Sequence, residues 1–171
     1  MATPVRRRHT LPGVPADLLI DTLGSSDLAP RPAVVILHGF PGLEERMARA
    51  GFTAVSIKNG SEESVTLSEA KRPSPADVDS VIAALDRGGL GVPRPTSIGI
   101  VAHRGAEATA VLAAARTPRI SALVTSAAIA PGAAAAAERV RIPWLLLQEA
   151  GPPDPDRLLD ETTGWLSRHL P

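Results

Sequence analysis

The residues with the most chemical capacity in this 171-residue sequence gather at three places. The first is the corner Ala102-His103-Arg104-Gly105-Ala106, where an apolar run ends and an alanine-rich helical pattern begins. A strand-to-helix corner flanked by small residues usually carries a nucleophile. Here the central residue is Arg104, whose guanidinium stays protonated and offers only donors, so it suits an anion and not acyl transfer. The second place is His38-Gly39-Phe40, directly after the apolar run 33-AVVIL-37. The third is the stretch from Gln148 to Asp154, which brings the carboxylates of Glu149 and Asp154. Ser126 closes another apolar run, and its hydroxyl needs an adjacent base before it can act as a nucleophile.

The elements that must position these groups are legible from periodicity. Arg6 to Leu11 and Asp17 to Leu23, separated by Pro12-Gly13-Val14-Pro15, read as an N-terminal hairpin or two edge strands. Residues 33–37, 52–57, 97–102, 120–129 and 142–148 are apolar runs of the kind found in strands buried on both faces. Between them, helical spacing covers Leu43 to Ala50, with Gly51 as a stop, and Arg104 to Ala115. Ser74 and Pro75 open a further helix as cap and first residue, and Val78, Val81, Ile82 and Leu85 form its apolar stripe. Gly132 to Val140 reads as a short helix, and Asp156 to Leu170 as a C-terminal one with Leu158, Leu159, Thr162, Trp165, Leu166 and His169 in one stripe. Gly24 to Pro32 and Lys58 to Pro75 read as loops.

Strands alternating with helices predict one α/β domain over residues 1–171, a mostly parallel, doubly wound sheet with helices on both faces. In such folds the chemistry sits at the C-terminal ends of the strands, where all three places fall.

Composition removes several classes of function. Eighteen basic and 18 acidic residues give zero net charge, and Arg6-Arg7-Arg8-His9 is the one basic cluster, so no nucleic-acid or anionic-membrane affinity is expected. There is no cysteine, hence no disulfide, thiolate metal site or cysteine nucleophile. Phe40, Phe52, Trp144 and Trp165 are all the aromatics, too few for stacking platforms. No G-x-G-x-x-G follows the first strand, no phosphate-binding G-x-x-x-x-G-K-[ST] occurs, and the four histidines are scattered, so neither cofactor nor metal is expected. With no long apolar span and no apolar leader, the expected location is the cytoplasm.

Three segments together resemble the α/β-hydrolase superfamily, in its dienelactone-hydrolase-like and prolyl-oligopeptidase-like branch. They are 33-AVVILHGFPG-42, 96-TSIGIVAHRGAEATAVLAA-114, and 120-ISALVTSAAIAP-131 with 142-IPWLLLQEAGPPD-154; 52–57 and 165-WLSRHL-170 fit the same order. The resemblance implies that His38, Gly39 and Phe40 belong to the loop supplying part of an oxyanion hole. It implies that residues 102–106 match the G-x-S-x-G elbow, with the Gly105 N–H as the second oxyanion donor. Ala102 and Ala106 keep the small positions, while the nucleophile position falls on Arg104. A one-residue deletion after His103 would equally leave the serine absent. In the family a histidine often precedes the serine and points away from the cleft, as His103 would. The family acid aligns near Asp154 or Glu149. The family histidine follows one more strand, for which there is no room before the last helix, and His169 lies inside that helix. The chain is short, with little or no space for a lid between Ala130 and Arg141.

The functional expectation is thus a reduced α/β-hydrolase fold without its triad, a non-catalytic or residual relative of ester hydrolases. A small carboxylate or phosphate held between Arg104 and the N–H groups of Phe40 and Gly105 is one expected ligand. The alternative is an active carboxylic-ester hydrolase with a displaced nucleophile, Ser126 or Ser56, and His38 or His103 as base. An open sheet edge would also permit a homodimer.

Overall fold

Uninterrupted β-branched and leucine runs build the sheet, and polar caps and glycines end them. The structure, a computed structural model, describes residues 3–14, 17–23, 29–58, 73–103, 105–126, 131–147 and 154–171. In chain order the elements are β1 (Pro4–Thr10), β2 (Asp17–Leu23), β3 (Ala33–Leu37), α1 (Leu43–Arg49), β4 (Thr53–Lys58), α2 (Pro75–Asp86) and β5 (Ile98–Ala102). They continue with α3 (Glu107–Arg116), β6 (Ile120–Ser126), a 3-10 turn (Pro131–Ala133), α4 (Ala134–Ala137), β7 (Trp144–Leu147) and α5 (Pro155–His169). The seven strands form one open sheet in the order β1-β2-β4-β3-β5-β6-β7. β1 and β2 are an antiparallel hairpin, β2 pairs antiparallel with β4, and the remaining pairs are parallel.

Alternate residues of each strand feed two cores. Val35, Leu37, Val55, Ile57, Ile98, Ile100 and Leu123 pack with Val78, Val81, Ile82 and Leu85 of α2 and Ala110 and Val111 of α3. Val34, Ile36, Ala54, Val101 and Val124 pack with Leu43 and Met47 of α1 and Leu158, Leu159 and Leu166 of α5. The expected stripe of α2 is buried as read, and Ser74 and Asp77 close a reciprocal capping box ahead of it. In mid-β5, Gly99 is required by close approach. A Cβ there would meet Leu170 Cδ1 at 2.8 Å and Leu166 Cδ2 at 3.3 Å.

The two outer strands differ. On β1, Arg6 makes a bidentate pair with Asp21 at 2.8 Å through each nitrogen, and Arg8 lies 3.6 Å from Asp17. β7 is uncharged and carries Leu146, the one exposed large hydrophobic residue among those described. No described strand lies between β7 and α5. Residues 59–72, 127–130 and 148–153, including the expected end of the sixth strand and Glu149, lie outside the described residues.

Candidate active site

The corner after β5 is tighter than the periodicity predicts. α3 begins at Glu107 and not at Arg104, because the chain first turns through Gly105, whose φ of 91° is the left-handed conformation that glycine takes freely. The N–H of Ala106 donates back to the His103 carbonyl at 3.4 Å within that turn. The His103 N–H donates to Leu37 O at 3.1 Å, which fastens the corner to the end of β3. Arg104 itself lies outside the described residues.

Three polar side chains meet beneath this corner. Ser126, at the end of β6, donates from Oγ to Glu107 Oε1 at 2.9 Å and lies 2.5 Å from His103 Nδ1. The second Glu107 oxygen, Oε2, accepts the Gly105 N–H at 2.7 Å. His103, Glu107 and Ser126 are 8%, 9% and 2% exposed, so their hydrogen bonds form largely away from water. A serine hydroxyl has one proton, and here it is committed to Glu107. His103 therefore donates from Nδ1 to Ser126, the reverse of the direction that would activate the serine. Glu107 stands in the first turn of α3, where the helix dipole favours a carboxylate.

Phe40 closes the opposite side, its ring meeting that of His103 edge-on with centroids 4.7 Å apart. It is 4% exposed and belongs to the core under α1 and α5. His38 has a φ of 50°, which sets the sharp exit from β3. Gly39 is held close: a Cβ there would lie 2.7 Å from Ile36 Cγ2.

The other sequence candidates make contacts of their own. Asp154 is exposed and caps α5, accepting the N–H groups of Asp156 and Arg157 at 3.2 and 3.3 Å. His169 is exposed in the last turn of α5, its ring tilted 38° against that of Trp165 with centroids 4.3 Å apart. Ser56 does not meet a histidine in the described contacts; its hydroxyl donates to Glu44 Oε1 at 2.9 Å, and Lys58 Nζ approaches the same oxygen at 3.1 Å. Burial pushes the Glu44 carboxyl up, but the Lys58 charge and the hydrogen bonds of Lys58, Ser56 and its own backbone outweigh that and hold it below its ordinary value. Among the described residues no cluster of three or more metal-ligating side chains occurs, and no helix is long and apolar enough to cross a membrane.

Sequence reasoning brings out His103, Ser126 and Gly105 but not the group that joins them. Glu107 appears in the sequence as a first-turn acid, an ordinary helix-start signal. Its position two residues after a glycine N–H is the one clue the sequence holds.

No protein-family model matches the sequence, and no curated protein does either. Solved structures do match. Dienelactone hydrolase from Anabaena variabilis superposes with a TM-score of 0.66 at 12% identity, covering 99% of this chain and 100% of its own. A cold-adapted esterase from an Arctic intertidal metagenomic library gives 0.65 at 12% identity, covering 97% and 93%. Against a hypothetical protein from Pseudomonas aeruginosa the TM-score is 0.55 at 18% identity, covering 74% of this chain and only 43% of that one. The strand order, the corner after β5 and these superpositions agree: the chain has the α/β-hydrolase fold, in a short form with an open seven-stranded sheet.

Proposed function

We propose that this chain is a non-hydrolytic α/β-hydrolase-fold protein whose oxyanion corner is filled by its own Glu107 carboxylate. One observation carries the reading: Glu107 takes both the Gly105 N–H at 2.7 Å and the Ser126 hydroxyl at 2.9 Å. The first is the donor that the fold would offer to a developing oxyanion, and the second is the hydroxyl that lies 2.5 Å from His103 Nδ1. With both engaged by an internal anion, neither serves an ester carbonyl. The small carboxylate or phosphate expected at this corner must compete with Glu107. A titration with acetate, phosphate and dicarboxylates against wild type and Arg104→Ala measures that competition, with weak and equal affinity in the two proteins as the expected result.

A second reading is favoured by the 2.5 Å approach of His103 Nδ1 to Ser126 Oγ, namely carboxylic-ester hydrolysis with Ser126 as nucleophile and His103 as base. It requires the Ser126 proton to leave Glu107 for His103. Incubation of the wild-type protein with a fluorophosphonate probe and with 4-nitrophenyl acetate separates the two. The expected result is no labelling and no hydrolysis above buffer, whereas stoichiometric labelling of Ser126 would overturn the first reading.

A further inference from the structure

We infer that Glu107 locks a latent Ser126–His103 dyad, so that removing its carboxylate creates an acyl-transfer site in this chain. The inference rests on the proposal that Glu107 fills the oxyanion corner. Its geometric basis is the way one carboxyl group spans the two donors. Oε2 sits on the Gly105 N–H and Oε1 on the Ser126 hydroxyl. An ester poised for attack would present its carbonyl carbon to Ser126 Oγ and its carbonyl oxygen to Gly105 N–H. The Glu107 carboxylate therefore occupies the space of a substrate acyl group, and the chain holds its own acyl mimic.

Proton counting fixes the result of withdrawing that mimic. Without Glu107 Oε1, the remaining acceptor recorded for the Ser126 proton among the described residues is Nδ1 of His103 at 2.5 Å. The imidazole then takes the other neutral tautomer, with Nδ1 as acceptor. At the same time the Gly105 N–H becomes available, in a turn already fixed by the glycine φ of 91°. Nucleophile, base and oxyanion donor thus arise together on one substitution. The three groups sit on β6 and on the β5–α3 corner, and both strands are buried in the sheet, so the dyad is positioned by rigid elements.

With an activated acetyl ester, Ser126 Oγ bonds to the acyl carbon as its proton passes to His103 Nδ1, and the carbonyl oxygen receives the Gly105 N–H. The bond to the leaving group breaks, 4-nitrophenolate departs with the electron pair, and His103 returns its proton to solvent. Water then attacks the acyl carbon, giving a proton to His103. Acetic acid leaves as Ser126 takes the proton back from His103, and the acid gives its remaining proton to solvent.

The test is Glu107→Ala beside wild type and the double variant Glu107→Ala/Ser126→Ala. Glu107→Ala is expected to label with a small fluorophosphonate at Ser126. It should also hydrolyse 4-nitrophenyl acetate about tenfold or more above wild type, a modest share of what a positioned general base supplies. The double variant is expected to do neither. A folded Glu107→Ala protein no more reactive than the double variant overturns the inference. Should Glu107→Ala fail to fold, Glu107→Gln keeps the volume, and its amide oxygen keeps the Gly105 N–H while its NH2 group turns to Ser126. That variant is expected to show, by 15N shifts, loss of the proton from His103 Nδ1; retention of that proton overturns the inference equally. Reactivity of the wild type would refute the proposed function; the inference falls with it only if Glu107→Ala is no more reactive than wild type, because the lock is read from that difference.

Discussion

Glu44 and Glu107 each lie in the first turn of a helix that leaves the C-terminal end of a central strand. Each accepts the hydroxyl of a serine on the neighbouring strand at 2.9 Å, Ser56 on β4 and Ser126 on β6. They differ in what balances the buried charge. Glu44 has an ammonium beside it, Lys58, which is about one-third exposed. Glu107 has no cation against it among the described residues and relies on a backbone N–H and the start of α3. A buried carboxylate needs either a counter-charge or a set of aimed dipoles, and these two glutamates show the two solutions side by side. The counter-charge makes an ordinary structural ion pair. On the proposed reading the dipoles make a site, because donors aimed at one carboxylate are aimed equally at whatever else could occupy its place.

The largest effect is expected from Lys58→Met, which leaves Glu44 buried with only dipolar partners. At neutral pH the loss is about 2–3 kcal/mol, below the full cost of breaking a buried pair because Lys58 is partly in solvent. In wild type the Glu44 carboxyl is held below its ordinary value of 4.5, so its stabilisation is complete above that pH and is lost as pH falls through the folded value. In Lys58→Met burial dominates and the sign reverses. Urea midpoints of the two proteins should therefore lie apart at pH 7 and converge in acid, and a constant gap would break the assignment of Lys58 as counter-charge.

Ser126→Ala comes next, at about 2 kcal/mol, because it strands both the His103 Nδ1 proton and Glu107 Oε1. Ser56→Ala removes the same kind of bond from Glu44 but leaves Lys58 in place, so about 1 kcal/mol is expected. Equal losses in denaturant titrations of the two would show that the distinction between dipole and counter-charge carries no energetic weight. The smallest change is a gain. Thr162 on α5 is fully buried, and its Oγ1 has no partner, the one such side-chain atom among those described. Thr162→Val should stabilise by about 0.5–1 kcal/mol, seen as a higher melting temperature without a change in either glutamate site.

Much of this architecture is written in short-range pattern. The apolar runs at residues 33–37 and 98–102 are strands buried on both faces, and only burial demands such runs. Ser74-Pro75 marks the start of α2 because cap and first-turn chemistry is local. The Arg104 corner is visible for the same reason, since small-residue spacing is a local signal. Glu107 and Glu44 are not legible as site residues. Their partners, Ser126 and Ser56, are 19 and 12 residues away and come near only through strand order, which no periodicity encodes. The start of α3 is hidden because alanine-rich sequence continues smoothly across the turn, and only the left-handed glycine at 105 interrupts it.

The insertion of β4 between β2 and β3 also has a consequence for the order in which the molecule assembles. The hairpin β1–β2 can close by itself on a microsecond scale, since its strands are neighbours in sequence. Its only seat on the sheet, however, is the outer side of β4. β4 in turn is held in the sheet by β3, whose Ala33 meets Thr53 and, across 65 positions, Ile98. Parallel pairings of this span are slow to nucleate, and the early hairpin must wait for them. Pulsed hydrogen exchange during refolding should accordingly protect the β3 amides before those through which β2 and β4 are joined.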